Sequence, residues 1–378
     1  MTGITEPACG QKALTLSAFA KLNLTLDILR KREDGYHDLQ MVMQTVELHD
    51  DVTVALTDGD GIACRCGEIP GDETNLAVKA ARAFFAATGV APRGLAIDIE
   101  KRIPARAGMA GGSSDAAATL RALRKLLKPD LLGDELERIA ARVGSDVPYC
   151  VRGGTALAEG RGERLTALRA APPFHVVLCK PDFDIPTPML FSRVKVSELW
   201  SRPDTNGMLD ALHHGDADGV ASRVKNVFET VLPKEYAEVF GIKERLRRMK
   251  AEAAAMTGSG PTLFGLYRDE AAAREAYEDL SADYRQTFLT RFVYKVKAPS
   301  ILVLITVKDG VFMRKFELSL LIGVVVTIVW CAVSPSLTTQ WWTTAFSPLC
   351  DGILTSDAGG ADIVLRSKVW ELLSQLGA

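Results

Sequence analysis

What this sequence lacks narrows it first. It lacks a cysteine framework: Cys9, Cys64, Cys66, Cys150, Cys179, Cys331 and Cys350 form an odd, unpatterned set, which fits a reducing compartment better than a disulfide scaffold. Cys64 and Cys66 are close together, but no second pair completes a zinc site. Charge of either sign is not in excess. Lys and Arg number 45 against 47 Asp and Glu, a net charge of −2, so no global field draws in nucleic acid. There is no apolar run of signal-peptide type near Gln11 and Lys12, and no internal repeat of fixed period. Three common signatures are missing as well. No Gly-x-x-x-x-Gly-Lys-Ser/Thr occurs, which excludes a Walker-type loop. Gly258-x-Gly260 has Leu263 where a dinucleotide fingerprint needs its third glycine. No Gly-x-Ser-x-Gly elbow surrounds Ser113 or Ser259.

What is present is a string of small residues running into a helix, Ile103-Pro104-Ala105-Arg106-Ala107-Gly108-Met109-Ala110-Gly111-Gly112-Ser113-Ser114-Asp115. Gly108, Gly111 and Gly112 let backbone amides approach a ligand with no Cβ in the way. Ser113 to Asp115 are predicted to open a helix over Ala116–Leu127, with Leu120, Leu123 and Leu127 on one face. A helix N-terminus rising from a glycine-rich loop is a phosphate cradle. The plainer reading of the same string is a helix cap with flexible glycines.

The rest of the chain, 47% hydrophobic and 24% charged, has ordinary globular composition. Its length predicts two domains and an extra piece. Strands are predicted over Ala13–Leu29 and over Leu39–Leu56, the latter broken at His49-Asp50-Asp51. Helices are predicted over Asn75–Thr88 and Asp134–Val143. Ala171-Pro172-Pro173 reads as a domain junction and Ile185-Pro186-Thr187-Pro188 as an extended connection. Helices are expected to dominate Met189–Met256, followed by a strand over Thr262–Tyr267 and a helix over Asp269–Ser281. This alternation predicts an α/β (α+β) chain of two domains, 1–170 and 171–293, with an extension over 294–378.

A phosphate cradle needs an acceptor hydroxyl and groups to aim it, and a lysine with an aspartate is the minimal apparatus. Lys21 is the single charged residue between Thr15 and Leu26, and Asp146 sits on the Gly144–Pro148 turn. Taken alone, Lys21 reads as an edge-strand charge, Asp146 as a turn or cap, and Tyr36-His37 as an exposed hairpin turn.

Taken in order, however, Ala18–Leu24, Asp34-Gly35-Tyr36-His37, Pro104–Ala118, Gly144–Pro148 and Thr257-Gly258-Ser259-Gly260-Pro261-Thr262 resemble the GHMP small-molecule kinase superfamily over about residues 13–293. The resemblance implies a two-domain fold with the active site in the cleft between domains. It implies Lys21 and Asp146 as catalytic residues flanking an acceptor hydroxyl. Asn75 and Pro104, Ala105, Arg106, Ala107, Gly108, Met109, Ala110, Gly111, Gly112, Ser113 and Ser114 would hold ATP, with Mg²⁺ riding on its phosphates. Asn23, Tyr36, His37, Thr187, Asn226, Gly258, Ser259 and Gly260 would hold the acceptor. Asp34–His37 and Ile185–Pro188 point within the superfamily to members that phosphorylate the 2-hydroxyl of a cytidylylated methylerythritol for non-mevalonate isoprenoid synthesis. Homoserine- or mevalonate-type kinases are the alternatives of the same fold. One departure is Ala110, which stands where members often carry glycine.

Beyond about Val293 the resemblance ends. No charged residue occurs from Leu318 to Cys350, and Leu318–Val333 is intensely apolar, which makes 316–334 a candidate membrane segment. This borders on the ~20 residues of a membrane span. A single anchor, a buried accessory layer and a tail without selected structure remain open. The expected location is the cytoplasm, or the cytoplasmic face of a membrane if 316–334 is an anchor. The tail also motivates an alternative of another class, a catalytically silent, membrane-tethered nucleotide-binding protein.

Overall fold

The computed structural model describes residues 13–91 and 94–293, together with the backbone of 301–307 and 310–316. The described residues up to 293 belong to one compact unit, and the later ones to a second.

The first unit opens with two long antiparallel strands, β1 (Ala13–Lys31) and β2 (His37–Thr57), joined at Gly35, whose φ of 85° suits a tight turn. Every residue of β1 from Ala20 to Ile28 is buried, because both faces of the strand are covered. β2 does not break at His49–Asp51 as the sequence suggested. It runs on, pairing its first half with β5 and its second half with β4. Next come β3 (Ile62–Arg65), α1 (Leu76–Thr88), β4 (Gly94–Glu100), α2 (Gly111–Leu127), α3 (Gly133–Ala141), α4 (Val147–Arg152), β5 (Thr155–Gly160) and β6 (Arg164–Ala167). α1 has Asn75 as N-cap and Gly89 in the left-handed conformation at its end. It presses Ala77, Ala80, Ala81, Phe84 and Phe85 into a core shared with α2 and the sheet. A buried phenylalanine such as Phe84 contributes about 2 to 3 kcal/mol there.

The second half supplies β7 (His175–Lys180), α5 (Thr187–Arg193), α6 (Thr205–His214), α7 (Ala217–Ser222), β8 (Lys225–Asn226), α8 (Glu238–Arg248), β9 (Ala253–Met256), β10 (Leu263–Tyr267), α9 (Glu270–Ser281) and β11 (Gln286–Arg291). Two expectations are corrected here. Thr187-Pro188 opens α5 instead of extending a connection, since proline is well suited to the first turn of a helix. Ala253–Met256 is a buried strand paired with β10, although alanine favours helix; tertiary pairing overrides propensity.

The strands make a seven-stranded sheet, ordered β3-β4-β2-β1-β8 with β5 and β6 branching from β2, and a four-stranded antiparallel sheet ordered β11-β7-β10-β9. A bridge between Val46 and Phe292 joins the end of the second half to β2. β1 contacts three cores in turn: Ala18 joins the core of α1 and α2, Ala20, Leu22 and Leu24 pack with Val176, Leu178 and Phe264, and Leu26 and Ile28 pack with Val177 and Phe228.

In the second unit, β12 (Ile301–Val307) and β13 (Gly310–Phe316) form an antiparallel hairpin. The apolar segment flagged in the sequence lies, apart from Phe316, outside the described residues. Among the described residues, no helix is long and apolar enough to cross a membrane.

Candidate active site

Lys21 is not an edge-strand charge. The β1–β2 register shifts between Phe19 and Lys21 and again between Asn23 and Thr25, and such irregularities re-aim side chains. Between them, Lys21 is 4% exposed and its backbone N–H donates to the Met109 carbonyl at 3.2 Å. Its Nζ donates to Asn23 Oδ1 at 2.7 Å and stands 4.0 Å from Asp146 Oδ2. Asp146 precedes α4, yet its side chain makes no capping hydrogen bond, which leaves the carboxylate directed to other work. Lys21, Asn23 and Asp146 all line a cleft of about 1050 Å³.

The glycine-rich loop forms the wall between this cleft and a smaller pocket of about 280 Å³. Pro104, Ala105, Ala107, Gly111 and Gly112 line the smaller pocket; Arg106, Gly108, Ala110 and Ser113 line both. α2 starts at Gly111, two residues earlier than the sequence suggested, so its first-turn amides come from the glycines. Its N-cap, Ala110, has φ 60° with no side-chain cap, a left-handed alanine that costs roughly 1 to 2 kcal/mol. No acidic side chain occupies the first turn, so the positive end of the helix dipole is left for an anion.

Three expected nucleotide contacts differ. The Met109 side chain is buried in the core. Ser114 Oγ donates back to the Phe19 carbonyl at 2.7 Å. Asn75 spends its amide locally: Oδ1 accepts from Ala77 N and Nδ2 donates to the Pro70 carbonyl, each at 2.9 Å. Each supports the pocket without lining it, and Leu76 lines it in place of Asn75.

Opposite, the Thr257–Gly260 loop is pressed onto the glycine-rich loop. A Cβ on Gly108 would stand 2.3 Å from the Thr257 carbonyl oxygen, and one on Gly258 would stand 2.6 Å from the Gly108 carbonyl oxygen. Asn23 joins the two sides: its N–H donates to Thr257 Oγ1 at 3.1 Å, and its Oδ1 accepts from Gly258 N at 3.0 Å. The Thr187 and Ser259 hydroxyls are 2.6 Å apart on the cleft wall. Asn226 is corrected. It is buried and does not line the cleft, because its Nδ2 serves the Met256 and Gly258 carbonyls at 2.8 and 2.7 Å and its Oδ1 accepts from Phe228 N.

At the other end of the cleft, Tyr36 is exposed and His37 stacks on Phe191, with ring centres 5.0 Å apart and planes at 26°. Arg161 lies 4.8 Å over the Tyr36 ring, a cation–π contact. Burial, and Lys31 nearby, push the His37 pKa down, which keeps the ring neutral at pH 7. Phe191 and Arg161 were missed in the sequence. Arg161 had a signal in Gly160-Arg161-Gly162; Phe191 looks like any apolar residue of a short helix.

Behind the glycine-rich loop lies a buried charge cluster that no local pattern announced. Lys101 Nζ, which reaches the smaller pocket, is 2.5 Å from Asp50 Oδ2 and 2.7 Å from Asp115 Oδ2. Asp50 Oδ1 also accepts from the backbone N–H groups of Arg102 and Ile103. One lysine cannot neutralise two buried carboxylates. Burial and the Asp50 charge, opposed by Lys101, lift the Asp115 pKa to about 7 from 3.8. The folded state therefore binds this proton more tightly than the unfolded chain. The resulting stabilisation is complete below about pH 4, falls as pH rises through about 7, and is absent above it. Asp115→Asn flattens that slope: in urea unfolding, wild type minus variant stability shrinks from pH 5 to pH 8. A constant difference would remove Asp115 as the titrating group.

Residues 75–154 match the GHMP kinases N terminal domain and residues 208–286 the GHMP kinases C terminal domain. The 4-diphosphocytidyl-2-C-methyl-D-erythritol kinase of Geobacillus sp. (strain WCH70) is 43% identical over 282 residues, 74% of this chain and 97% of that protein. A crystal structure of 4-(cytidine 5'-diphospho)-2C-methyl-D-erythritol kinase superposes with a TM-score of 0.64 at 33% identity, covering 74% of this chain and 99% of that one. A homoserine kinase from Cytophaga hutchinsonii reaches a TM-score of 0.60 at 16% identity over 77% of this chain and 97% of its own, which shows a shared fold alone. With a two-domain GHMP fold and a relative matched over nearly its whole length, this chain belongs to the 4-diphosphocytidyl-2-C-methyl-D-erythritol kinase family.

Proposed function

We propose that this enzyme transfers the γ-phosphoryl group of ATP to the 2-hydroxyl of 4-diphosphocytidyl-2-C-methyl-D-erythritol in the cytoplasm. The observation that carries this reading is a single cleft holding Lys21 and Asp146 near the glycine-rich loop and Tyr36 and His37 further along. In this reading residues 1–170 bring the phosphate loop and residues 171–293 close the acceptor side.

ATP phosphates rest on the amides of the Gly108–Ser113 segment, where helix dipole and N–H groups converge. Asp146 orients the acceptor hydroxyl and takes its proton. Lys21, held by Asn23 and facing Asp146 at 4.0 Å, stabilises charge on the transferring group. Because phosphoryl transfer has a loose transition state, aim counts for more than basicity. Thr187, Gly258, Ser259 and Gly260 shape the wall against the methylerythritol moiety, and Asn226 fixes that wall from behind. The neutral His37 ring offers one donor and one acceptor to the cytosine edge, and Tyr36 offers an aromatic face. Among the described residues no cluster of three metal-ligating side chains exists. A Mg²⁺ ion arriving on the nucleotide would neutralise phosphate charge beside these residues.

An ATP-consumption assay over a panel of acceptors tests the assignment, with the cytidylylated methylerythritol the preferred substrate. His37→Ala raises KM for that acceptor about tenfold or more, on the scale of one lost hydrogen bond at a buried edge, and leaves KM for ATP unchanged. Equal turnover of homoserine or mevalonate would exclude the cytidine-specific reading.

A further inference from the structure

The buried charge cluster grips both ends of the glycine-rich loop. Asp50 Oδ1 holds the Arg102 and Ile103 amides just before Pro104, Asp115 lies in the second turn of α2, and Lys101 Nζ donates to both carboxylates. A Cβ on Gly111 would stand 3.4 Å from that Nζ, so the ammonium sits directly behind the first residue of the helix. Asp115 is 3% exposed, and its Oδ1 is buried with no hydrogen-bond partner among the described residues. Such an oxygen is costly as an anion and well placed to carry a proton. The Asp50 carboxyl is close enough to share a hydrogen bond with Asp115 once one of the two is protonated. The remaining neighbours bring no compensating charge. Cys64 of β3, Cys66 just after it and Cys150 of α4 are the other titratable groups around Asp115, and burial holds all three as thiols, with Cys64 and Cys150 pushed up to about 12. α1, β1 and β4 contribute apolar side chains to the same core.

We propose that ATP binding is coupled to proton uptake at Asp115, which sets the charge behind the α2 N-terminus without touching the nucleotide. This rests on the reading of the glycine-rich loop as the seat of the nucleotide phosphates. Asp115 stands four residues beyond Gly111, about 6 Å along the helix axis at 1.5 Å per residue, and charges that meet through protein interior are little screened by salt. With Asp115 ionised, the cluster carries one excess negative charge behind the cradle; with Asp115 neutral, Lys101 and Asp50 balance. Phosphates arriving at the helix end therefore favour the neutral carboxyl. The proton comes from solvent and its bond forms on the Asp115 carboxyl; no other covalent bond changes. The sign follows from linkage: a proton taken up on binding makes ATP bind more tightly at low pH, and affinity falls as pH rises. Asp115 is thus a positioning residue whose protonation state tunes the cradle.

The test is calorimetric titration of the full chain with ATP and Mg²⁺ at pH 7.5, in buffers of different ionisation enthalpy, which counts protons exchanged on binding. Wild type takes up roughly 0.3 to 0.8 proton per ATP more than Asp115→Asn, the subtraction removing protons exchanged by the ligand itself. From pH 6.5 to 8.5 the wild-type affinity for ATP falls about three- to tenfold further than that of the variant. Asp50→Asn suppresses the uptake from the other side, because Lys101 then has a single carboxylate to serve and Asp115 stays ionised. A purely structural clamp would change affinity in these variants without changing the proton count. Infrared difference spectra of wild type at pH 8 give a second readout that needs no variant: ATP has no carboxyl group, and its binding raises the C=O stretch of a protonated carboxyl. No uptake by wild type, the same uptake in Asp115→Asn, or no carboxyl band overturns the proposal. A wild-type chain that binds ATP with proton uptake but phosphorylates nothing on the acceptor panel defeats the proposed function and leaves this inference standing. A wild-type chain without affinity for ATP overturns both.

Discussion

Asp146→Asn lowers kcat at least a hundredfold and leaves the dissociation constant for ATP within twofold. Loss of a positioned acid–base group costs about 3 kcal/mol of transition-state stabilisation. The substitution is unusually clean here. Asp146 makes no side-chain cap to α4, so asparagine costs the helix nothing, and its nearest cation, Lys21, keeps its 2.7 Å hydrogen bond to Asn23. The loss should therefore fall on the chemical step. Single-turnover phosphoryl transfer reads it directly, with thermal melting as a check on folding. Equal rates for variant and wild type would sink the assignment and favour a silent nucleotide-binding protein.

The second large effect is on stability. Gly108→Ala destabilises the fold by roughly 3 kcal/mol or more, because two penalties coincide. Its φ of 73° lies where L residues are strained. The added methyl would also meet the Thr257 carbonyl at 2.3 Å, with the Gly260 amide nitrogen and carbonyl oxygen at 3.1 and 3.2 Å, and backbone cannot rotate away as a side chain can. The two loops must part, so KM for ATP rises too. Gly112→Ala is the contrast. Its Cβ would meet only Leu76 Cδ1, at 3.5 Å, in a helical turn, and stability stays within about 1 kcal/mol of wild type. Urea unfolding of both variants compares them; a Gly108→Ala protein as stable as Gly112→Ala would show that the loops are not interlocked.

The glycine-rich loop was legible in the sequence because its function is written in local backbone freedom. Small residues, a proline before them and a helix after them are adjacent in the chain. Lys21 was not legible alone. Alternation along Ala13–Leu29 shows a strand but not what covers its second face, and the register shifts that turn Lys21 inward come from pairing with β2. The ordered motifs, taken together, were needed to place it opposite Asp146. Asn226 and Asn75 were placed in the site by resemblance, but their amides are spent on nearby backbone groups. Such use is decided by neighbours that no spacing reveals. The cluster of Asp50, Lys101 and Asp115 was invisible for the same reason, since its members come from β2, the end of β4 and the first turns of α2. Ala253–Met256 misled because its composition favours helix, while its hydrogen bonds go to β10.

One carbonyl oxygen, Asn23 Oδ1, receives both the ammonium of Lys21 and the amide of Gly258. The cleft thus has a pinned floor. Rocking of one half against the other would drag the lysine along with the opposing backbone, whereas at the rim the halves meet through an exposed pair, Arg106 Nη1 and Asp184 Oδ2 at 3.3 Å, that parts at little cost.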